Sequence, residues 1–240
     1  FWHALAIDEV GKELSANLPD GLKETEVKER HRLFGLNVLP EEKPRSLFSL
    51  FWGQFKSPLI YILVIAGIIT LFLRDYADSI FIGITVFLNV IIGFFQENKA
   101  SNILSELKKI IKIKAYTIRE GKEKELDQSE LVPGDIFLLR PGQKVPADGR
   151  LIESFHLKTN EAPLTGEWLP AGKESKILPE ETLLSDRDNM VYMGCVIEEG
   201  QGRAVVVATG KNTEIGKIAV IVGETEEEET IYQKRIKRLS

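Results

Sequence analysis

The sequence predicts an α+β membrane protein fragment: a transmembrane α-helical hairpin, then a cytoplasmic β-sandwich of distorted jelly-roll type with flanking helices. Three observations support this. Two long apolar runs without a charge lie side by side, and the periodicity turns from helical to strand-like near Lys112. The β-like segments that follow are short and divided by Pro/Gly turns.

Residues 1–40 read as a small helical pair. Leu5, Val10 and Leu14 have loose helical spacing, and Asn17-Leu18-Pro19-Asp20-Gly21 breaks the pattern. Val27, Arg30 and Leu33-Phe34 continue on a second helix, which Gly35 can end through a left-handed residue. Pro40 and Pro44 lead into Leu47-Phe48-Ser49-Leu50-Phe51-Trp52. We read this stretch as an interfacial approach to a bilayer, with a cytosolic core segment as the competing reading.

Ser57–Leu73 and Ser79–Phe95 carry no charge, and each is ~17 residues long, roughly 25 Å as a helix. Either run alone would suit a buried core helix. Two in tandem, apolar around the whole circumference, argue for a membrane hairpin. Arg74–Asp78 leaves room only for a tight antiparallel turn. Lys43, Arg45 and Lys56 precede the pair, and Lys99, Lys108, Lys109, Lys112 and Lys114 follow it. That excess places both ends of the hairpin on the cytoplasmic side. Asn89 is polar within the second run and is expected to pack against another helix. Glu97, at the cytoplasmic end, either pairs with a nearby Lys or guards an ion entry path. Beyond it, Ala100, Ile103, Leu104, Leu107 and Ile111 form a helical stripe suited to a stalk.

The strand-like runs are Ala115–Arg119, Asp135–Arg140, Leu151–Phe155, Val191–Ile197 and Ala204–Ala208. Pro133-Gly134-Asp135, Pro141-Gly142, Ala147-Asp148-Gly149 and Gly200-Gln201-Gly202 punctuate them. In that frame Asp148 is a turn-stabilising side chain rather than a catalyst. Thr213–Val222 is expected to be a helix, Glu224–Glu229 a solvated acidic linker, and Lys234–Arg238 a basic return towards a membrane face.

The 240 residues carry 31 Lys+Arg against 36 Asp+Glu, a net charge of −5, so no basic excess exists to neutralise nucleic-acid phosphates. The single cysteine, Cys195, excludes an internal disulfide, and its apolar neighbours suit a small buried hydrophobe. His3, His31 and His156 lack ligand spacing, so no metal site is expected. The N-terminus has no signal-peptide pattern and begins without Met, as expected of a fragment.

The densest chemical signal is Asn160-Glu161-Ala162-Pro163-Leu164-Thr165-Gly166-Glu167. Pro163 restricts the backbone before a Thr-Gly turn, and the turn presents a carboxylate. Such an acid can take a proton from a water molecule, but an isolated Thr-Gly-Glu is equally an ordinary surface turn. Its surroundings decide. Gly35-Leu36-Asn37-Val38-Leu39-Pro40, Phe95-Gln96-Glu97-Asn98-Lys99-Ala100, Pro133-Gly134-Asp135-Ile136, Val145-Pro146-Ala147-Asp148-Gly149-Arg150, Ala208-Thr209-Gly210 and Thr213-Glu214-Ile215-Gly216-Lys217-Ile218 occur in order around it. Together with the apolar hairpin, this set resembles the N-terminal part of the type II P-type cation-transporting ATPases.

The resemblance implies an N-terminal cytoplasmic segment over residues 1–45 and the first two transmembrane helices over 46–98. It implies an actuator domain with its stalk over 99–223, and a linker towards a third membrane helix over 224–240. It assigns Glu167 to positioning and deprotonating the water that hydrolyses an aspartyl phosphate, with Thr165 and Gly166 shaping the loop. ATP and Mg²⁺ would be bound by phosphorylation and nucleotide domains of the same polypeptide. The implied cargo is Ca²⁺, with Na⁺, H⁺ or Mg²⁺ as alternatives, and the implied setting is a multi-pass protein of the plasma membrane. Trp168 departs from the family's Ser and is expected to pack against a partner domain. Asp-Lys-Thr-Gly-Thr, the family's phosphorylation motif, does not occur, so the chain alone is expected to be inactive. A non-enzymatic, membrane-anchored β-domain that docks a partner is the alternative from another class.

Overall fold

The computed structural model describes residues 1–39, 47–55, 57–110 and 113–224, apart from the side chains of Pro58 and residues 100–110. Several sequence expectations therefore lie outside the described residues. These are the roles of Pro40, Lys43, Pro44, Arg45, Lys56 and Lys112, the stalk stripe from Ala100 to Ile111 with Lys108 and Lys109, the acidic run beyond Glu224, and Lys234–Arg238. The chain divides into two compact units, Phe1–Glu41 with Lys112–Ser240, and Glu42–Ile111.

The first unit is built on an antiparallel sheet of β1 (Lys114–Arg119), β2 (Lys122–Asp127), β3 (Ile136–Leu139), β4 (Asp148–Asn160), β5 (Ala171–Gly172), β6 (Met190–Val191) and β7 (Val196–Ala208). The order is β2-β1-β3-β7-β4-β5, with β6 also paired to β4. The sequence reading misses β2, because Lys-Glu-Lys-Glu-Leu-Asp has no apolar alternation. Glu120 and Gly121, at φ 53° and 70°, form the two-residue reversal that pairs Arg119 with Lys122. At a sheet edge main-chain bonding suffices, and charged side chains there discourage edge-to-edge pairing.

Two other corrections come from glycines. Val191–Ile197 is not one strand, because Gly194 at φ 87° turns the chain between β6 and β7. Conversely, Gly200-Gln201-Gly202 does not end a strand but lies inside β7. A Cβ on Gly200 would stand 2.2 Å from the His156 carbonyl oxygen, so only glycine lets β7 follow the irregular register of β4.

Inward-facing Ile136, Phe137, Leu151, Val191, Ile197 and Val205 are among the fully buried residues of the core. Cys195 joins them, and burial pushes its thiol up to about 12, which keeps it protonated and unreactive at neutral pH.

The N-terminal helices α1 (Ile7–Glu13) and α2 (Glu24–Phe34) pack into this unit. Val10 enters the main core, and Val27 joins Leu22 and Val132 in a smaller cluster. Gly35, at φ 76°, stops α2 where its sequence signal lies. Arg30 donates to the carbonyls of Leu14, Ser15 and Pro133. Asn37, 1% exposed, donates to the Gln128 and Pro146 carbonyls and accepts from the Gly210 N–H. The Gly35–Pro40 motif is thus partly explained by a side chain that joins three separate loops.

The second unit contains α3 (Leu47–Gln54), α4 (Pro58–Phe72) and α5 (Tyr76–Ile110). Serine at position 57 and Pro58 begin α4 as the residue types favour, although the Ser57 side chain makes no capping bond. Gly67 allows α4 and α5 to approach closely: its carbonyl accepts from Ser79 Oγ at 3.2 Å, and a Cβ there would meet Ile82 at 3.3 Å. Phe51 stacks edge-on against Phe94. Among the described residues, Glu97 accepts a hydrogen bond from Gln54 Nε2. Asn89 is exposed on α5 rather than packed between these helices. Among the described residues, Tyr76–Lys99 is the one helical stretch long and apolar enough to cross a membrane. Leu47–Gln54 with Leu59–Phe72, bent by 59°, would supply a second if the two form one broken span.

Candidate functional site

The Thr-Gly-Glu loop leaves the end of β4 through α6 (Ala162–Thr165). Glu161 is the N-cap residue, and its carbonyl accepts the Leu164 and Thr165 N–H groups at 2.9 and 3.0 Å. Pro163 suits the first turn of a helix, where its missing N–H removes no intrahelical bond. Gly166 adopts the left-handed conformation, φ 76° and ψ −2°, and its N–H returns to the Ala162 carbonyl at 3.0 Å. A side chain at position 166 would strain that stop.

Thr165 acts in both directions. Its hydroxyl donates to the Glu161 carbonyl and accepts from the Glu167 N–H, both at 3.2 Å. The three residues singled out from sequence are therefore one local unit: Gly166 reverses the chain, Thr165 fixes the backbone after it, and Glu167 projects into solvent. Trp168 and Leu169 follow it outward, 82% and 83% exposed.

The side-chain contacts at the base of the loop, and Lys173 among them, were not read from sequence. The Glu161 carboxylate is buried and meets Lys173 Nζ at 2.6 Å. It also accepts from Thr159 Oγ1 at 3.0 Å. Asn160 Oδ1 receives the Ala162 N–H, while its amide donates to Glu198. The only available signal was the pairing of an acid before the motif with a lysine just after it. Nothing in one sequence shows that both side chains turn inward.

The other motifs have structural chemistry. Asp135 accepts a bidentate bond from Arg119 at 2.7 and 2.8 Å, and also accepts the Val132 N–H. Asp148 begins β4 and is not a turn residue. Its two oxygens accept the N–H groups of Met193 and Glu214, each at 2.8 Å. It thereby holds the start of α7 (Glu214–Glu224) against the β6–β7 turn. Arg150 is fully buried and donates to carbonyls of Leu5, Leu151, Ser175, Lys176 and Asn189. Burial lowers its pKa to about 10, still charged at neutral pH.

Burial raises the Asp148 carboxyl to about 6 despite its two N–H donors. The folded chain therefore holds this proton more tightly than the unfolded one. The associated stability is fully present below pH ~4 and is lost as pH rises through about 6, by up to about 3 kcal/mol. Asp148→Asn costs ~1–3 kcal/mol, because its NH₂ must oppose a backbone donor. The advantage of wild type over the variant should be largest near pH 4.5 and shrink by pH 7.5. Urea unfolding at both pH values checks this; a gap that widens with rising pH would show that the N–H donors favour the ionised form more than burial opposes it.

Among the described residues no group of three or more His, Cys, Asp or Glu side chains is placed to hold a metal ion. A family profile described as the P-type ATPase actuator domain matches residues 109–222, and one described as the cation transporter/ATPase N-terminus matches residues 2–70. The chain is 42% identical over 224 residues to a probable cation-transporting ATPase F of Mycobacterium tuberculosis, covering 93% of this chain and 25% of that protein. It is 37% identical over 240 residues to calcium-transporting ATPase 1 of Bacillus cereus, covering 98% and 27% respectively. It is 33% identical over 231 residues to the mouse calcium-transporting ATPase type 2C member 1, covering 96% and 25%. The chain thus spans about a quarter of the length of these relatives. With both profiles matched in chain order, and with the Thr-Gly-Glu loop on the antiparallel sheet within the actuator match, the chain belongs to the P-type cation-transporting ATPases.

Proposed function

We propose that this chain is the N-terminal segment, first transmembrane hairpin and actuator domain of an ATP-driven Ca²⁺ transporter. We propose further that Glu167 activates the water that hydrolyses the transporter's aspartyl phosphate. The observation that carries this reading is the loop tip: a carboxylate exposed to solvent whose own backbone is fixed by Thr165 and Gly166. An acid held that way can enter a partner domain without rearranging.

The chemistry asks little else of this domain. Glu167 accepts a proton from the water as its oxygen bonds to phosphorus. The phosphorus–oxygen bond to the aspartate breaks, leaving a free carboxylate and inorganic phosphate. Thr165 and Gly166 hold the loop and do not touch the reacting atoms. Mg²⁺, when bound by the phosphorylation domain, neutralises phosphate charge. That domain and the ATP-binding domain are expected on the same polypeptide, so the present chain alone does not hydrolyse ATP.

We divide the chain for this role as residues 1–45, 46–98, 99–223 and 224–240: N-terminal segment, membrane helices, actuator with stalk, and linker. The β-sheet is read as a distorted jelly roll and α4–α5 as a membrane-crossing pair in a multi-pass protein of the plasma membrane. Ca²⁺ is preferred because several relatives are named calcium-transporting ATPases. The test is phosphoenzyme decay in the full-length protein carrying Glu167→Gln. Slow decay with intact phosphorylation supports the reading, and unchanged decay returns the loop to a docking surface.

A further inference from the structure

The loop is exposed from Gly166 to Pro170, but its two ends are not. Glu161 and Lys173 meet at 2.6 Å with side chains 4% and 0% exposed. Lys173 N–H donates to the Leu157 carbonyl at 2.8 Å, and its ammonium lies 5.9 Å from the Tyr192 ring centroid. The outgoing and returning strands are otherwise joined by two residue pairs, Lys158 with Gly172 and Thr159 with Ala171.

Glu161 couples this buried pair to the loop tip. Its side chain is fixed by Lys173, while its carbonyl receives three donors of α6: Leu164 N–H, Thr165 N–H and Thr165 Oγ1. Thr165 Oγ1 in turn accepts the Glu167 N–H. A continuous path of short polar contacts therefore runs from Lys173 to the backbone of Glu167.

We propose that Glu161 and Lys173 are positioning residues, a buried clamp that sets the placement of Glu167 for hydrolysis. The proposal rests on the reading of Glu167 given above. A buried ion pair gains little stability over well-packed apolar residues of similar size, because both charges lose their water. What it supplies is direction, since charge-assisted bonds are short and geometrically demanding. A displacement of about 1 Å from productive geometry costs on the order of 10²-fold in rate, so such direction matters to this loop.

Lys173→Met removes the ammonium and leaves the Glu161 carboxylate buried with Thr159. In the full-length ATPase we expect phosphoenzyme decay to slow ~10–100-fold, with the rate of phosphorylation by ATP unchanged. Decay is read as a rate constant of molecules already phosphorylated, so a smaller folded fraction does not alter it. Lys173→Arg, which keeps the charge, should stay within ~3-fold of wild type. On a Glu167→Gln background Lys173→Met should add less than ~3-fold, because the clamp acts through Glu167.

A second measurement separates failure of the clamp from failure of the parent reading. In the 240-residue chain carrying Trp2→Phe and Trp52→Phe, Trp168 is the remaining tryptophan. Its fluorescence anisotropy should gain a nanosecond component in Lys173→Met but not in Lys173→Arg. Unchanged anisotropy overturns the clamp, and so does wild-type decay in Lys173→Met when Glu167→Gln decays slowly. If Glu167→Gln itself decays normally, the catalytic reading and the clamp's role in hydrolysis both fall, whatever the anisotropy shows.

Discussion

Glu167→Gln in the full-length ATPase leaves phosphorylation by ATP intact and slows phosphoenzyme decay by ~10²–10⁴-fold, the range for loss of a positioned general base. Glutamine keeps the length and hydrogen-bonding reach of glutamate, so water can still be oriented, but the amide cannot take its proton. Thr165 and Gly166 hold position 167 through backbone contacts, which the substitution preserves. Thermal stability should move by less than ~0.5 kcal/mol, because the side chain is exposed. Rapid-quench measurement of phosphoenzyme formation and decay checks both halves. Loss of phosphorylation would place Glu167 earlier in the cycle, and normal decay would remove it from the chemistry.

Asp135→Ala is expected to destabilise the chain by ~3–5 kcal/mol, the usual cost of breaking one side of a buried ion pair. Arg119 is 3% exposed, and Asp135 supplies two of its bonds, leaving the Glu130 carbonyl as the remaining acceptor. The same substitution strands the buried Val132 N–H. Arg119→Met combined with Asp135→Leu should recover most of the loss by removing both charges. Urea unfolding in detergent, followed by the strand signal in circular dichroism, measures the two variants. A cost below ~1 kcal/mol for Asp135→Ala would show that water or another acceptor replaces the carboxylate.

The Pro133-Gly134-Asp135 motif was visible in the sequence as punctuation, and its partner was not. Arg119 closes the pair from another strand, and no local pattern marks which arginine will do so. Asp148 shows the same limit: its neighbours suggest a turn, whereas its hydrogen bonds reach Met193 and Glu214. Strand β2 was hidden for a different reason, because an edge strand bonded through its backbone needs no apolar face. The sequence reading puts Gly194 inside a strand and Gly200 at a break, yet Gly194 turns the chain and Gly200 sits within β7.

The sequence by itself determined what is local or additive. Apolar run length located the helical pair, alternation located the central strands, and Pro163 with Gly166 marked the turn that carries Glu167. Tertiary structure decided which charged residues face inward and what they meet: Arg119 with Asp135, Glu161 with Lys173, and Arg150 among five carbonyls. The reason is energetic. A charged side chain is cheap in water at any position, and it is tolerated inside only where distant backbone and side-chain groups replace its solvent, which the fold alone can arrange.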